Sequence, residues 1–502
     1  MRPVLTLVAA SAVLAAGVAA ATVWPAAAPA GPVPGARPAR DLPVSTTTLV
    51  CPSVPERRMA GAPGAAPTPV AGTLGVVVPQ VPTAAGAAGP PSGGLTVTTL
   101  GGDRLPVPAS PTSPVVTPVP AHSGPLVVTA RGAGTAGTAA MVTARLDGSG
   151  ERGLASGLCR APQTHWWFLA PGTQVGRRPA LVLVNPEASP VQVDLELFGP
   201  TGPVRASAAT GIVLAAHHQT VVPLDALAPD LGALAVHVTA QGGRVAAALW
   251  DTEADGLAPR GVDWVPPAAP PARRQAVPVV PVGQGERTLY VTAPGDQEAV
   301  VAVRVLGPGG SFAPSGRESL VVPAGAVAEL DVANLIPAGA QPAPVGILLR
   351  ADVPVTAATG VRVGTAAGAG ELTWAPAGAP LQGPAVLALA RAGQVTRTEL
   401  ALAAPAGAAA AQVDVEYPGG RRASRRVTVA AGAVTSVPLA PPGDVTWYQV
   451  LVRPVGAAPV LAAATVREGT GNDEWITLTP LVDMPRTVHE PRVVRDLGVG
   501  AP

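Results

Sequence analysis

The sequence predicts an all-β chain, a tandem array of immunoglobulin-like β-sandwich modules behind an N-terminal apolar helix. Three observations lead there. First, a pair of apolar runs recurs four times: residues 126–131 with 141–144, 234–240 with 245–249, 347–351 with 355–358, and 449–453 with 460–464. A Gly, Pro or Ala turn is expected inside each pair, and repetition on this scale marks a modular array. Second, a Trp follows the pair in the later copies, and Trp264, Trp374 and Trp475 lie 110 and 101 residues apart. In the first copy that place falls at Cys159, 105 residues before Trp264. Such a period is one small domain. Third, 61 Pro and 58 Gly in 502 residues would interrupt helices, whereas turns and edge strands accept them.

About seven short strands per unit, separated by regular turn signals, is the pattern of an immunoglobulin-like sandwich. The alternative is a β-propeller, with the four units cut into about seven four-stranded blades. A repeat equal to one domain favours sandwiches. Pro-rich joints near residues 266–271 and 376–384 then predict separate sandwiches in an elongated row.

Taken in order, residues 1–23 read as a signal peptide or signal anchor. Residues 4–23 are uncharged and mostly apolar behind Arg2, with small-residue cleavage patterns at their end. Residues 24–44 are a Pro/Ala-rich linker. Module 1, residues 45–162, carries strand-like runs at 46–50, 73–78 and 95–97, with low-complexity loops at 60–73 and 82–94.

Module 2, residues 163–272, is the clearest: alternation places Val191, Val193, Leu195 and Leu197 on one strand face before the turn at 199–202. Modules 3 and 4, residues 273–383 and 384–485, repeat it at 301–305 and 412–416. A hairpin is expected next in each: 212–216 to 220–224, 320–322 to 327–330, and 427–429 to 434–437. Residues 486–502 read as a flexible tail.

A net charge of +1, with no Lys in the chain, argues against a nucleic-acid partner. The apolar leader predicts export, with membrane attachment through the N-terminal segment if it stays uncleaved. Cys51 and Cys159, the two cysteines, bracket module 1 and are expected to form a disulfide, as exported proteins allow. Their spacing suggests neither metal nor redox chemistry.

The segments Cys159-Arg-Ala-Pro162, His165-Trp-Trp-Phe168, Leu181-Val-Leu-Val-Asn-Pro186 and Gly256-Leu-Ala-Pro-Arg-Gly261 resemble an uncharacterised family of exported proteins from high-GC Gram-positive bacteria. The resemblance implies an envelope location and brings no established activity.

Motifs for catalysis are missing, with no nucleophile elbow, no His-Glu-x-x-His and no phosphate-binding glycine loop, so a non-enzyme without cofactor is expected. His217 and His218 fall in a predicted turn, where adjacent strand residues would point apart. Residues 251–256 resemble half a calcium loop, but Val262 stands where an EF-hand needs Glu. Asp194, Glu196, Asp414 and Glu416 alternate with apolar residues and read as solvated rungs rather than paired catalytic carboxylates.

Two clusters remain. Arg421, Arg422, Arg425 and Arg426 could meet an anionic polymer or lipid headgroups, or simply end a solvated hairpin. In His165-Trp-Trp-Phe168, Trp166 and Phe168 face the core, while Trp167 lies on the opposite face and matches Tyr290 of the next module. His165, Trp167 and Tyr290 are therefore candidates for ligand or intermodule contact. The expected function is a non-enzymatic exported cell-envelope scaffold or adhesion-type protein. The alternative is a carbohydrate-binding protein that recognises wall polysaccharide. Partners would be envelope proteins or that polysaccharide.

Overall fold

A computed structural model describes residues 40–490, apart from 56–70, 78–93, 108–114, 120–123, 133–134, 136, 149–150, 171, 284, 336–342, 365–369, 391–394, 444, 446, 470–473 and 485–486. The predicted apolar helix, residues 24–39 of the predicted linker, residues 491–502 of the predicted tail, and most of the low-complexity loops lie outside the described residues. Two compact units result. In the smaller one, strands Arg40–Pro43 and Thr487–Glu490 pair antiparallel, with Arg40 opposite Glu490.

The larger unit, Val44–Arg486, holds the four modules. Each is built from antiparallel sheets, as the alternating sequence requires. In module 2 the strand Val191–Gly199 buries Val191, Val193, Leu195 and Leu197 and exposes Gln192 and Glu196. It belongs to a five-stranded sheet with Gly202–Val204, Ile212–Leu214, Leu234–Gln241 and His165–Ala170. A four-stranded sheet faces it, in the order His218–Pro223, Ala180–Asn185, Ala246–Asp255, Ala258–Val265. Facing sheets of this kind are a sandwich, not a propeller blade.

Three expectations are corrected. The predicted hairpins do not pair with themselves. Ile212–Leu214 pairs with Val191–Gly199 in one sheet, whereas His218–Pro223 pairs with Ala180–Asn185 in the other. The same crossing occurs from Ser319–Val322 to Ala326–Asp331 and from Arg422–Val429 to Ala433–Leu439. At each crossing a residue adopts a positive φ, His217 (52°), Gly325 (65°) or Gly432 (68°), so the chain leaves one sheet for its partner.

The second correction concerns module 3, where no turn separates the two apolar runs. One 19-residue strand, Val345–Val363, serves both sheets. Its first half pairs with Ala272–Val280 and Ala299–Gly307, and its second with Arg287–Ala293 and Glu371–Pro376. Pro354 sits where the strand passes between sheets and has no ladder partner, which is where a strand tolerates Pro.

Third, the modules do not form a row. The last strand of each one comes to a common axis: Arg152–Leu158, Ala258–Val265, Glu371–Pro376 and Trp475–Pro480. Each packs on the next, and the fourth packs back on the first. Apolar clusters cross every junction. Val50 and Leu146 pack with Trp250 and Trp264 between modules 1 and 2. Tyr290 and Trp374 join the core of module 2, Ala401 and Leu478 that of module 3, and Met141 that of module 4. A chain with 3% aromatic residues leaves each sandwich a thin core, and closing the ring buries the apolar outer faces that separate modules would expose.

Candidate functional site

The axis of this ring is polar. Asp263, wholly buried, accepts hydrogen bonds on Oδ1 from the backbone N–H of Ser156 (3.2 Å) and Trp264 (2.8 Å). Its Oδ2 accepts from the Thr373 hydroxyl at 2.7 Å, and the Thr477 hydroxyl lies 3.2 Å from both oxygens. Donors therefore come from all four modules. Ser156 Oγ extends the network to Thr477 and Thr479 hydroxyls, each at 2.7 Å. Thr373 Oγ1 in turn accepts from Leu478 N at 2.9 Å.

Glu371 forms the second level. Its buried carboxyl accepts from the backbone N–H groups of Leu154 (3.0 Å), Val262 (3.2 Å) and Leu372 (2.9 Å), which belong to modules 1, 2 and 3. Two glycines make room for it. A Cβ on Gly153 would lie 2.7 Å from Oε1, and one on Gly261 (φ +134°) would lie 2.9 Å from the Glu371 Cα.

Burial pushes both carboxyls well above the ordinary range, helped at Glu371 by the charge of the neighbouring Asp263, while the hydrogen bonds oppose that rise. Asp263 can hold a proton in place: Oδ2 faces only hydroxyls, and Thr477 can accept the proton's bond while donating onward to Ser156 Oγ.

This register corrects one sequence alignment. Ser156, Asp263, Thr373 and Thr477 share a level, so Gly157 and Leu478 match Trp264 and Trp374. Trp475 sits three residues before Leu478, and Cys159 two residues after Gly157. An ideal Cβ on Gly157 would meet the Trp264 ring at 3.1 Å, and one on Gly360 would meet the Trp374 ring at 3.0 Å, so the two indoles are accommodated by what their neighbours lack.

The disulfide joins Cys51, at the end of strand Thr46–Cys51, to Cys159, just past Arg152–Leu158, with S–S 2.08 Å. It links the two sheets of module 1 beside a short ladder in which Val50 and Arg160 exchange backbone hydrogen bonds of 2.9 and 3.0 Å.

Trp167 does lie on the opposite face from Trp166 and Phe168, yet it is only 8% exposed. It stands directly across from His237, which stands across from Glu196, so the three form one rung over three strands. The Trp167 and His237 rings stack at 4.1 Å, Phe198 flanks the indole at 6.0 Å, and His237 Nδ1 is 2.6 Å from Glu196 Oε2. His165, exposed, stacks on His237 at 5.4 Å. Tyr290 is buried in the same apolar cluster as Trp167, from the neighbouring module. Its ring leans on Trp374 at 5.7 Å, and burial pushes its hydroxyl up to about 12.

The calcium-like loop is mostly strand. Arg177 binds Asp251 and Glu253, each at 2.8 Å, and Arg362 of module 3 binds Glu253 as well. Trp374 Nε1 donates to Asp251 at 3.0 Å across the same junction. Both histidines are exposed, His217 in the turn and His218 as the first residue of strand His218–Pro223.

Arg421, Arg422, Arg425 and Arg426 are exposed along the sheet-edge strand Arg422–Val429. Arg422 pairs with Glu416 at 3.0 Å, and Asp414 takes the Arg453 guanidinium. Charges along an exposed edge discourage pairing with another chain.

The axial polar residues escaped the sequence reading. Their signal was a polar residue directly before a large apolar one in each closing strand: Asp263 before Trp264, Thr373 before Trp374, Thr477 before Leu478.

Comparison with known proteins adds the following. The chain is similar to the structure described as "Crystal Structure of Thermotoga maritima 1070" at 9% identity, covering 21% of this chain and 97% of that one, with TM-score 0.18. It also aligns with a tetra-tandem repeat in the extending region of a large adhesion protein, at 12% identity over 79% of this chain and 92% of that one, with TM-score 0.10. Likenesses at those scores carry no argument about fold or function. No curated protein matches the sequence. The match that does carry weight is to a family model spanning residues 112–440, and on it the chain belongs to DUF5719, a family of unknown function.

Proposed function

We propose that this protein is a non-enzymatic, exported scaffold of the cell envelope, whose four modules form one rigid platform. The observation that carries the reading is the bonding of Asp263, which ties all four modules at a single carboxyl. A ring closed in that way holds its outer loops and edges at fixed spacing, as a scaffold must and a flexible adhesive stalk need not. The axial carboxyls are engaged in structure and sealed from solvent, so they support no turnover.

Export is supported by the Cys51–Cys159 bridge, since disulfides persist in oxidising compartments, and by the apolar stretch at residues 4–23. Envelope proteins are the favoured partners. The wall-polysaccharide alternative loses its best stacking platform, because Trp167 is covered by His237 and Phe198.

The test is fractionation of cells expressing the tagged full-length chain, with thiol labelling of the recovered protein. Envelope or extracellular recovery with both cysteines blocked is expected. Cytosolic protein with two alkylatable thiols would overturn the reading.

A further inference from the structure

Arg421, Arg422, Arg425 and Arg426 put four guanidinium groups into six residues, on the edge of one sheet of module 4. A charge or two is enough to keep an exposed edge from pairing with another chain. The matching edges of modules 2 and 3, Ile212–Leu214 and Ser319–Val322, carry no Arg and expose Val213 and Val321. Edge protection therefore does not account for the cluster.

Register sorts these residues by face. Arg422 stands across from Glu416, Ser424 from Asp414 and Arg426 from Gln412, so Arg422, Ser424 and Arg426 share the face turned away from the module's core. Arg425 stands across from buried Val413 and leaves by the opposite face, yet it is exposed because its strand is the last of the sheet. From Arg422 to Arg426 the strip runs about 14 Å, with guanidinium groups on both sides of it.

The carboxylates of this face are already engaged. Glu416 binds Arg422 at 3.0 Å and accepts from the Gln449 amide, while Asp414 binds Arg453 and the Ser424 hydroxyl. Arg425 and Arg426 form no ion pair among the described residues. Gln412 stands between Arg426 on one side and Arg453 on the other, so only a neutral side chain separates two cations. Like charges gathered on one rung repel, and an anion laid across them relieves that repulsion.

We infer that this edge is a docking strip for a linear phosphate-bearing polymer, gripped by Arg425 and Arg426 from the two sides of the strand. A guanidinium fork fits phosphate and carboxylate oxygens alike. A planar carboxylate takes a fork in its own plane, whereas a tetrahedral phosphate offers oxygens to forks on two sides, which suits groups that diverge round one edge. A narrow strip also suits a chain, because a flat bilayer would meet Arg422 and Arg426 but not Arg425. Nothing in the scaffold reading requires this partner, and it stands or falls separately.

The experiment titrates the full chain with long-chain inorganic polyphosphate, with polygalacturonate at equal charge, and with phosphatidylglycerol–phosphatidylcholine vesicles. Calorimetry reads the polymers and co-sedimentation the vesicles. Saturable binding of polyphosphate is expected, tighter than that of either other probe and weaker as salt rises. The double variant Arg425→Gln/Arg426→Gln should weaken it by at least about tenfold. Both side chains are exposed, so the fold tolerates the change. Arg205→Gln/Arg273→Gln removes the same charge from exposed positions elsewhere and should bind as the natural chain does. Absence of saturable polyphosphate binding would overturn the proposal. So would equal losses in the two double variants, or polygalacturonate or vesicles bound as tightly as polyphosphate.

Discussion

A Cβ on Gly153 would lie 2.7 Å from Oε1 of Glu371 and 2.8 Å from Oε2, so the bare face of one module's glycine is the seat of another module's carboxyl. Gly153→Ala should strain the axis, since added volume in a packed interior costs about 1–3 kcal/mol. Urea unfolding should show a lower midpoint with an unchanged slope. Gly94 has nothing within 4 Å of a built Cβ, and Gly94→Ala should move stability by less than about 0.5 kcal/mol. Equal effects at the two positions would refute the packing argument.

Stability should fall as pH rises above the ordinary carboxylate range. Burial raises the folded pKa of Asp263 and Glu371, so the native chain keeps protons that the unfolded chain releases above about pH 4. The stabilisation is therefore complete below that pH and is lost as pH climbs to the raised folded values. Asp263→Asn should flatten the decline by up to about 1.4 kcal/mol per pH unit within that window. Chemical denaturation between pH 4 and 8 reads the slopes, and parallel slopes would remove Asp263 from the account.

The two axial carboxyls should not tolerate amides equally. Asn at position 263 can turn its NH₂ toward the Thr373 and Thr477 hydroxyls, which can accept. Gln at position 371 must set its NH₂ against a backbone N–H whichever way it turns, because Leu154, Val262 and Leu372 all donate. An opposed buried donor costs about 1–3 kcal/mol. Glu371→Gln should thus melt well below Asp263→Asn at pH 7; the reverse order would contradict the assigned hydrogen bonds.

Replacing Cys51 and Cys159 together with Ala should loosen module 1 first. Cross-linking residues 108 apart restricts the unfolded chain by up to about 4.7 kcal/mol in loop entropy. Hydrogen exchange should rise first in strands Thr46–Cys51 and Leu126–Arg131, while the axial strand Arg152–Leu158 keeps protection through its bonds to Asp263 and Glu371. Uniform loss of protection across all four modules would mean that the bridge secures the whole ring.

Trp167→Ala should cost about 3–5 kcal/mol, the range for truncating a buried aromatic side chain. The indole is packed by His237 and Phe198 rather than displayed. Denaturant unfolding reads the loss. A change under about 0.5 kcal/mol would restore Trp167 as an exposed surface contact.

What the sequence determined by itself was everything carried by local alternation. Val191, Val193, Leu195 and Leu197 must share a face, the strands must recur with the period of one domain, and Cys51 can reach Cys159 because both sit at the limits of one module. Tertiary structure alone decided which strands became partners. The stretch from Ile212–Leu214 to His218–Pro223 reads as a hairpin, and only the competing edges of two sheets draw its halves apart. Ring closure was equally hidden. Asp263, Thr373 and Thr477 are ordinary polar residues of separate closing strands, more than 100 residues apart, and each is costly to bury until the others arrive to satisfy it. Period and alternation are properties of one strand and can be read along it, whereas the axis is a property of four strands meeting and exists only where they meet.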